Sequence, residues 1–225
     1  MPETTPAPAH PAATVVLIRD GRDGCEVLLV RRNAQLAFHG GAWVFPGGRV
    51  DRGDYDAPDG DVVAAARRAA VREAHEEASL ILQPDDLLLV SRWVTPVILP
   101  KRFDTWFFAA PGSDAPIQVD GGEIHEHRWM TPAVALAAQR AGTIELPPPT
   151  FVTIQAIAAH RAAADALAGF ARGGMETFEP RLFPVEGGAV TLYAGDAGYA
   201  AGELECDGPR HRLWMIEQGW RYERS

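Results

Sequence analysis

The order of hydrophobic patterns along this 225-residue chain predicts an α/β (α+β) fold, a mixed sheet interrupted by two or three helices and packed as a sandwich. Three observations predict it. Short β-branched or leucine-rich runs alternate with longer segments of helical period and no internal repeat. The composition, 47% apolar and 23% charged, is that of a chain able to bury a real core. No apolar run is long enough for a transmembrane helix, and no Gly-x-Gly-x-x-Gly follows a strand, which makes a doubly wound dinucleotide fold the poorer reading.

Taken in order, Met1–Ala13 is rich in Pro, Ala and Thr and reads as a disordered leader; it lacks the basic and apolar segments of a signal peptide. Thr14–Arg19 and Glu26–Arg31 are predicted strands, separated by the turn residues Asp20–Gly24. Residues 39–60 hold eight glycines and prolines, too many for a regular element. A helix is expected from about Asp61 to Leu80, with Asp59 or Asp61 as cap and Pro84 beyond it. Leu87–Val94, Phe103–Ala109 and Ile124–Met130 are the next strands. Thr131-Pro132 opens a helix to about Arg140, and Thr150 is expected to cap another running to about Phe170, stopped by Gly173-Gly174. The main domain is thus read as residues 14–176. Residues 177–225 are read as a β-rich extension, with strands at Ala189–Tyr193, Gly202–Cys206 and His211–Ile216.

Charge and cysteine content narrow the function. With 21 basic and 30 acidic residues the net charge is −9, which argues against a general affinity for nucleic acid. An acidic protein can still take an anionic substrate when a divalent cation lies between the like charges. Cys25 and Cys206 form no paired motif, so a thiolate zinc site is excluded and a disulfide framework is not expected. Lys101 is the only lysine, a bias that suggests a GC-rich genome, and a bacterial cytoplasmic enzyme is the expectation, with no membrane partner.

The chemistry concentrates in Phe45-Pro46-Gly47-Gly48-Arg49 and, downstream, Arg72-Glu73-Ala74-His75-Glu76-Glu77. On a helix Glu73, Glu76 and Glu77 lie at i, i+3 and i+4, so three carboxylates share one face. Such crowding repels in the absence of a cation. Hard oxygen donors of this kind suit Mg²⁺ or Mn²⁺, which keep several waters and share ligands with substrate phosphates. A solvated charged helix face is the plain alternative, and two features weigh against it. Arg72, one turn before Glu76, is placed to hold that carboxylate in a fixed rotamer. Gly47-Gly48 allows close backbone approach and offers backbone groups to a metal or phosphate.

Gly48, then five residues to Asp54, and later Arg72-Glu73-x-x-Glu76-Glu77 resemble the Nudix box, G-x5-E-x7-R-E-U-x-E-E-x-G-U. There are three departures. Asp54 replaces Glu, seventeen residues rather than seven precede Arg72, and Ser79 replaces the final glycine. A left-handed Ser79 would cost about 1 kcal/mol, so the helix is expected to run past it. The first two put a metal role for that loop in doubt.

The resemblance implies a Nudix α/β/α sandwich and hydrolysis of a nucleoside diphosphate linked to another moiety, a small-molecule substrate. It further implies Glu73, Glu76 and Glu77 as metal ligands, with Gly48 beside them, and Arg72 as the group orienting a glutamate. The general base is left open among Glu76, Glu73 and the loop carboxylate Glu123. A homodimer is left open by family analogy.

Leu28-Leu29-Val30-Arg31-Arg32-Asn33, Gly41 and Phe45-Pro46-Gly47-Gly48 partly match the coenzyme A diphosphatase signature, with Val30, Asn33 and Ala37 as departures. Trp93–Pro96 and Arg102–Phe108 resemble relatives of the mammalian CoA diphosphatases with an enlarged box, and the insertion after Asp54 agrees. The substrate contacts so implied are Arg32, Lys101, Arg102 and Phe45, the basic groups against phosphate. At least one of Trp106, Phe107 and Phe108 is expected in the core rather than under adenine. His125 and His127 share a strand face without a ligand spacing. An ADP-ribose or other nucleotide-sugar hydrolase is the rival enzyme, and a silent nucleotide sensor the rival class.

Overall fold

The computed structural model describes residues 7–35 and 39–225; Ala37 and the first six residues of the expected leader lie outside the described residues. The chain forms two compact units. The larger holds Pro11–Ser91 and Thr105–Glu176, the smaller Arg92–Asp104 and Thr177–Ser225 with the N-terminal residues to His10.

In the larger unit β1 (Ala9–Gly21) and β2 (Gly24–Arg32) form an antiparallel hairpin, with Gly21 opposite Gly24 and Ile18 opposite Val27. The five residues Ala9–Ala13, expected in the leader, belong to β1: Ala12 and Ala13 pair with Arg49 and Gly48 of β4 (Gly47–Arg49). Composition hid this strand start, because those backbone groups are satisfied by a partner some 35 residues distant. Beyond the hairpin, β2 pairs with β3 (Trp43–Val44) and with β7 (Ile124–Met130), where Arg32 faces Ile124 after an irregularity at Arg31/Arg32. The sheet order β3-β2-β1-β6-β5 is completed by β5 (Leu88–Val94) and β6 (Arg102–Pro111).

Helix α1 (Val62–Ala78) starts where Asp61 accepts the Val63 N–H at 2.8 Å. Its buried face is almost all alanine: Ala66, Ala69, Ala70, Ala74 and Ala78 pack with Val15, Leu17 and Leu28 of the sheet and with Trp106 and Phe108 of β6. Small side chains let the helix axis approach the sheet, and the aromatic rings fill the remaining depth. The helix ends at Ala78 and does not run past it. Ser79 is left-handed (φ 56°), and its N–H closes the last turn onto Ala74 and His75. The expected strain is accepted there, and the Ser79 hydroxyl donates to the Gln118 carbonyl at 3.3 Å.

Helix α2 (Pro132–Arg140) is capped by Thr131 as the Thr-Pro pair predicts. The single helix expected over 150–170 is two: α3 (Pro148–Ile157), in which Thr150 is a buried interior residue, and α4 (Ala163–Gly173). Tertiary bonds break it. The Arg161 carbonyl accepts the Cys25 N–H at the β1–β2 turn, and the Asp20 carboxylate accepts the Ala163 N–H at 2.7 Å. Among the described residues, no helix is long and apolar enough to cross a membrane.

In the smaller unit β8 (Glu176–Phe178) precedes a four-stranded antiparallel sheet of β9 (Arg181–Val185), β10 (Gly188–Leu192), β11 (His211–Ile216) and β12 (Arg221–Arg224), in the order β12-β11-β10-β9. Two of its strands match expectation; β9 and β12 were not anticipated, and the expected strand Gly202–Cys206 is loop. Pro184 is tolerated because β9 is an edge strand. The loop is held by a buried pair, Arg212 donating to both Asp196 oxygens at 2.8 and 2.7 Å and to the Leu204 carbonyl at 3.1 Å. Trp93 stacks on Phe178 at 3.9 Å, with Tyr193 edge-on to both.

Candidate active site

The last two turns of α1 carry Arg72, Glu73, Glu76 and Glu77, and β4 lies against them. Glu77 is 5% exposed and accepts the Gly47 N–H at 2.9 Å. Gly48 has a steric reason to be glycine, since a Cβ there would stand 2.5 Å from the Glu73 carboxyl. Arg72 organises the rest. Its guanidinium reaches Glu73 at 2.8 Å, Glu76 at 3.0 Å and the Arg49 carbonyl at 2.9 Å.

Its other anchor is Asp54, whose two oxygens accept from Nε and Nη2 of Arg72 at 3.2 and 3.0 Å. Asp54 is 5% exposed and also accepts the Asp51 N–H at 2.8 Å. The ten additional residues ahead of Arg72 therefore do not displace this acid from the site. Arg68 donates to the Asp54 carbonyl and pairs with Asp56 at 3.1 Å, tying the longer loop to α1. The doubt attached to Asp54 concerned metal; its observed task is to fix Arg72. The box spacing was the signal, and the insertion masked it.

Burial, reinforced by the charges of Glu73 and Glu123, pushes Glu77 up to about 8 against the pull of the Gly47 N–H and Arg32. Burial likewise raises Glu73, opposed by Arg72 and aided by Glu76 and Glu123. Their hard oxygens are the donor set a divalent cation takes, and such an ion would offset the cost of burying these carboxylates in charged form. Arg72 bridges Glu73 and Glu76 here, and among the described residues no three acidic, histidine or cysteine side chains converge in metal-ligating geometry.

The Glu77 shift has a thermodynamic consequence. Its folded value lies above the ordinary 4.5, so between about 4.5 and about 8 the folded chain holds more protons than the unfolded one. Stability attributable to Glu77 therefore falls as pH rises through that window. Melting curves of metal-free wild type and Glu77→Gln are expected to diverge in that direction, the wild type losing ground as pH rises; parallel curves would contradict it.

Two other expected residues lie near this face. Glu123 sits on the exposed loop before β7, close enough for its charge to raise both Glu73 and Glu77, and its carboxylate makes no hydrogen bond or ion pair among the described residues. Arg32 ends β2; its charge lowers Glu77, and its buried Nε finds no acceptor among the described residues. Phe45, expected at substrate, is instead 3% exposed and meets Phe107 edge-on at 6.4 Å. The Thr14 hydroxyl bonds the Phe45 and Pro46 carbonyls at 3.2 and 2.6 Å, fixing the turn into Gly47. Trp106, Phe107 and Phe108 are all buried. Lys101 and Arg102 belong to the smaller unit, where Arg102 donates to the Thr95 and Ala7 carbonyls and the exposed Lys101 lies 5.3 Å from the Phe103 ring.

A family model described as NUDIX domain matches residues 8–147. The acyl-coenzyme A diphosphatase NUDT19 of Homo sapiens is 30% identical over 115 residues, covering 48% of this chain and 31% of that protein. Its Xenopus laevis counterpart is 32% identical over 118 residues, covering 48% and 31%. The chain spans about half or less of the length of the curated relatives it matches. Among solved structures, the NUDIX hydrolase from Alicyclobacillus acidocaldarius is 27% identical with a TM-score of 0.63, covering 72% of this chain and 96% of that one.

Proposed function

The chain belongs to the NUDIX domain family, and from that premise we propose that it is a metal-dependent hydrolase of the diphosphate bond in a nucleoside diphosphate derivative. CoA or an acyl-CoA is the leading substrate, giving 3′,5′-ADP and 4′-phosphopantetheine or its acyl form. The observation that carries the reading is the face of α1. Glu77 is buried and Glu73 half-buried beside β4, both with raised proton affinity, and Glu76 is beside them within reach of the same arginine.

A diphosphate resists hydrolysis because its anionic oxygens repel the incoming water. Bound Mg²⁺ or Mn²⁺ would neutralise that charge and make a water more acidic. Glu73, Glu76 and Glu77 are the groups that would hold it, with the backbone at Gly48 alongside. Arg72 fixes the rotamers of Glu73 and Glu76 and is itself held by Asp54. Of the candidate bases, Glu76 is tied to Arg72, whereas the Glu123 carboxylate makes no hydrogen bond or ion pair among the described residues, so Glu123 is the group we assign to take the proton from the attacking water. The Nε of Arg32, without an acceptor among the described residues, suits a substrate phosphate oxygen. The CoA assignment is supported by the partial signature at Leu28–Gly48 and by the acyl-CoA diphosphatase relatives.

The test is a product assay on purified protein with Mn²⁺, offering CoA, an acyl-CoA, ADP-ribose and NADH side by side. The expected product is 3′,5′-ADP from CoA or acyl-CoA. AMP from ADP-ribose or NADH alone would retain the chemistry and overturn the substrate. Tight binding with every substrate intact would replace the enzyme by a sensor.

A further inference from the structure

The loop that presents Glu123 is built by two side chains that the reaction scheme above does not use. Asp120 accepts three successive backbone N–H groups: Gly122 at 3.2 Å and Glu123 at 2.8 Å on one oxygen, Ile124 at 2.8 Å on the other. The Gly121 N–H closes the turn onto the Ile124 carbonyl at 3.0 Å, in a left-handed conformation (φ 74°) that favours glycine. From the other side Asn33, the residue after β2, donates its backbone N–H to the Glu123 carbonyl at 2.7 Å and its side-chain amide to the Gly122 carbonyl at 2.9 Å. The backbone of Glu123 is thus bonded on both its N–H and its carbonyl. The four-residue turn Asp120–Glu123 is pinned to the end of the strand that carries Arg32.

This arrangement is more than a surface turn needs. Residue 123 is exposed to solvent, where water would satisfy the same groups at little cost. Burial opposes ionisation of Asp120, but the N–H groups of Glu123, Ile124 and Gly122 outweigh it and hold that carboxyl below its usual range, so the clamp is charged at neutral pH. Of the two clamping residues, Asn33 stands where the CoA diphosphatase signature has Ser or Ala, side chains with no amide to donate to the Gly122 carbonyl.

We propose that Asp120 and Asn33 are positioning residues that hold the Glu123 carboxylate beside the Glu73–Glu77 face, so that it meets the attacking water without an ordering cost in each turnover. The inference rests on the reading of Glu123 as the general base. A short, doubly bonded turn removes the backbone freedom that would otherwise spread this carboxylate over many positions. Its effect falls on the chemical step rather than on substrate affinity, because neither side chain needs to touch substrate.

The test is a double-mutant cycle on the full chain with Mn²⁺ and whichever substrate the wild type turns over, measuring kcat and KM separately. Asp120→Ala is expected to lower kcat by about 10- to 100-fold, the range for residues that orient a reacting group, with KM within about twofold. Asn33→Ala should lower kcat by a smaller factor in the same way. In a Glu123→Gln background neither substitution should lower kcat further, since the group they position is already gone. Asp120→Asn keeps one acceptor oxygen and should restore part of the loss, which guards against a variant that merely folds poorly. Equal losses with and without Glu123, or losses confined to KM, would overturn the clamp as a positioning device. Full activity in Asp120→Ala beside a crippled Glu123→Gln would overturn it while leaving the base in place. Full activity in Glu123→Gln would remove the base reading itself and the clamp with it.

Discussion

Replacing Glu76 by glutamine is expected to lower kcat by roughly 10³-fold, the equivalent of about 4 kcal/mol of lost charge stabilisation in the transition state. The folded state should hardly notice. The Glu76 side chain is 56% exposed, and its ion pair with Arg72 is an i, i+4 contact, a class worth about 0.3–0.5 kcal/mol. Separation of activity from stability is what distinguishes a metal-holding carboxylate from a solvated helix face. A surface glutamate would change neither quantity, and a structural one would change both. Turnover and melting temperature measured on one preparation decide among these. A loss of kcat below tenfold would contradict a metal-holding role for Glu76.

Truncating Arg72 to alanine should do the opposite and damage both. Asp54 is 5% exposed and takes two of the Arg72 hydrogen bonds, so the truncation strands a buried carboxylate. Removing one partner of such a pair costs about 3–5 kcal/mol. In a domain of this size that lowers the melting temperature by roughly 10 °C. Activity should fall by about 10- to 100-fold as well, because Glu73 and Glu76 lose the group that fixes their rotamers. The double variant Arg72→Ala/Asp54→Asn removes the stranded charge. It should regain part of the stability and none of the activity. Recovery of both would mean that Arg72 acts only on the fold.

Local signals were legible where local chemistry decides. Thr131-Pro132 announces α2, Asp61 caps α1, and β7 and β11 end where their patterns end, because each boundary is fixed by residues within a turn of it. The carboxylate face of α1 follows from a spacing of three and four. What could not be read depends on distant partners. An alanine-rich run from 158 to 162 carries no helix stop, and the break there follows from Cys25 and Asp20, more than 130 residues upstream. The Gly202–Cys206 segment alternates like a strand but is held as loop by Arg212 and its neighbours.

The same division runs through the site. The shared helix face of Glu73, Glu76 and Glu77 follows from their spacing, whereas the contact of Asp54 with Arg72 is obscured by an insertion that lengthens the loop without moving the acid from Arg72. The signature points to a substrate contact for Phe45, whereas the fold buries that ring against Phe107. Asp120 and Asn33 bond mainly to backbone, which leaves no pattern in side-chain type.

On the proposed function, the Glu73–Glu76–Glu77 face carries a divalent cation. Titrating Mn²⁺ into wild type, Glu76→Gln and Glu77→Gln at neutral pH, with free ion followed by its paramagnetic resonance signal, tests it without any assumption about substrate. Saturable binding is expected for the wild type, weakened at least about tenfold in each variant. Equal binding by all three proteins, or none by the wild type even in the presence of a non-hydrolysable diphosphate, would contradict it.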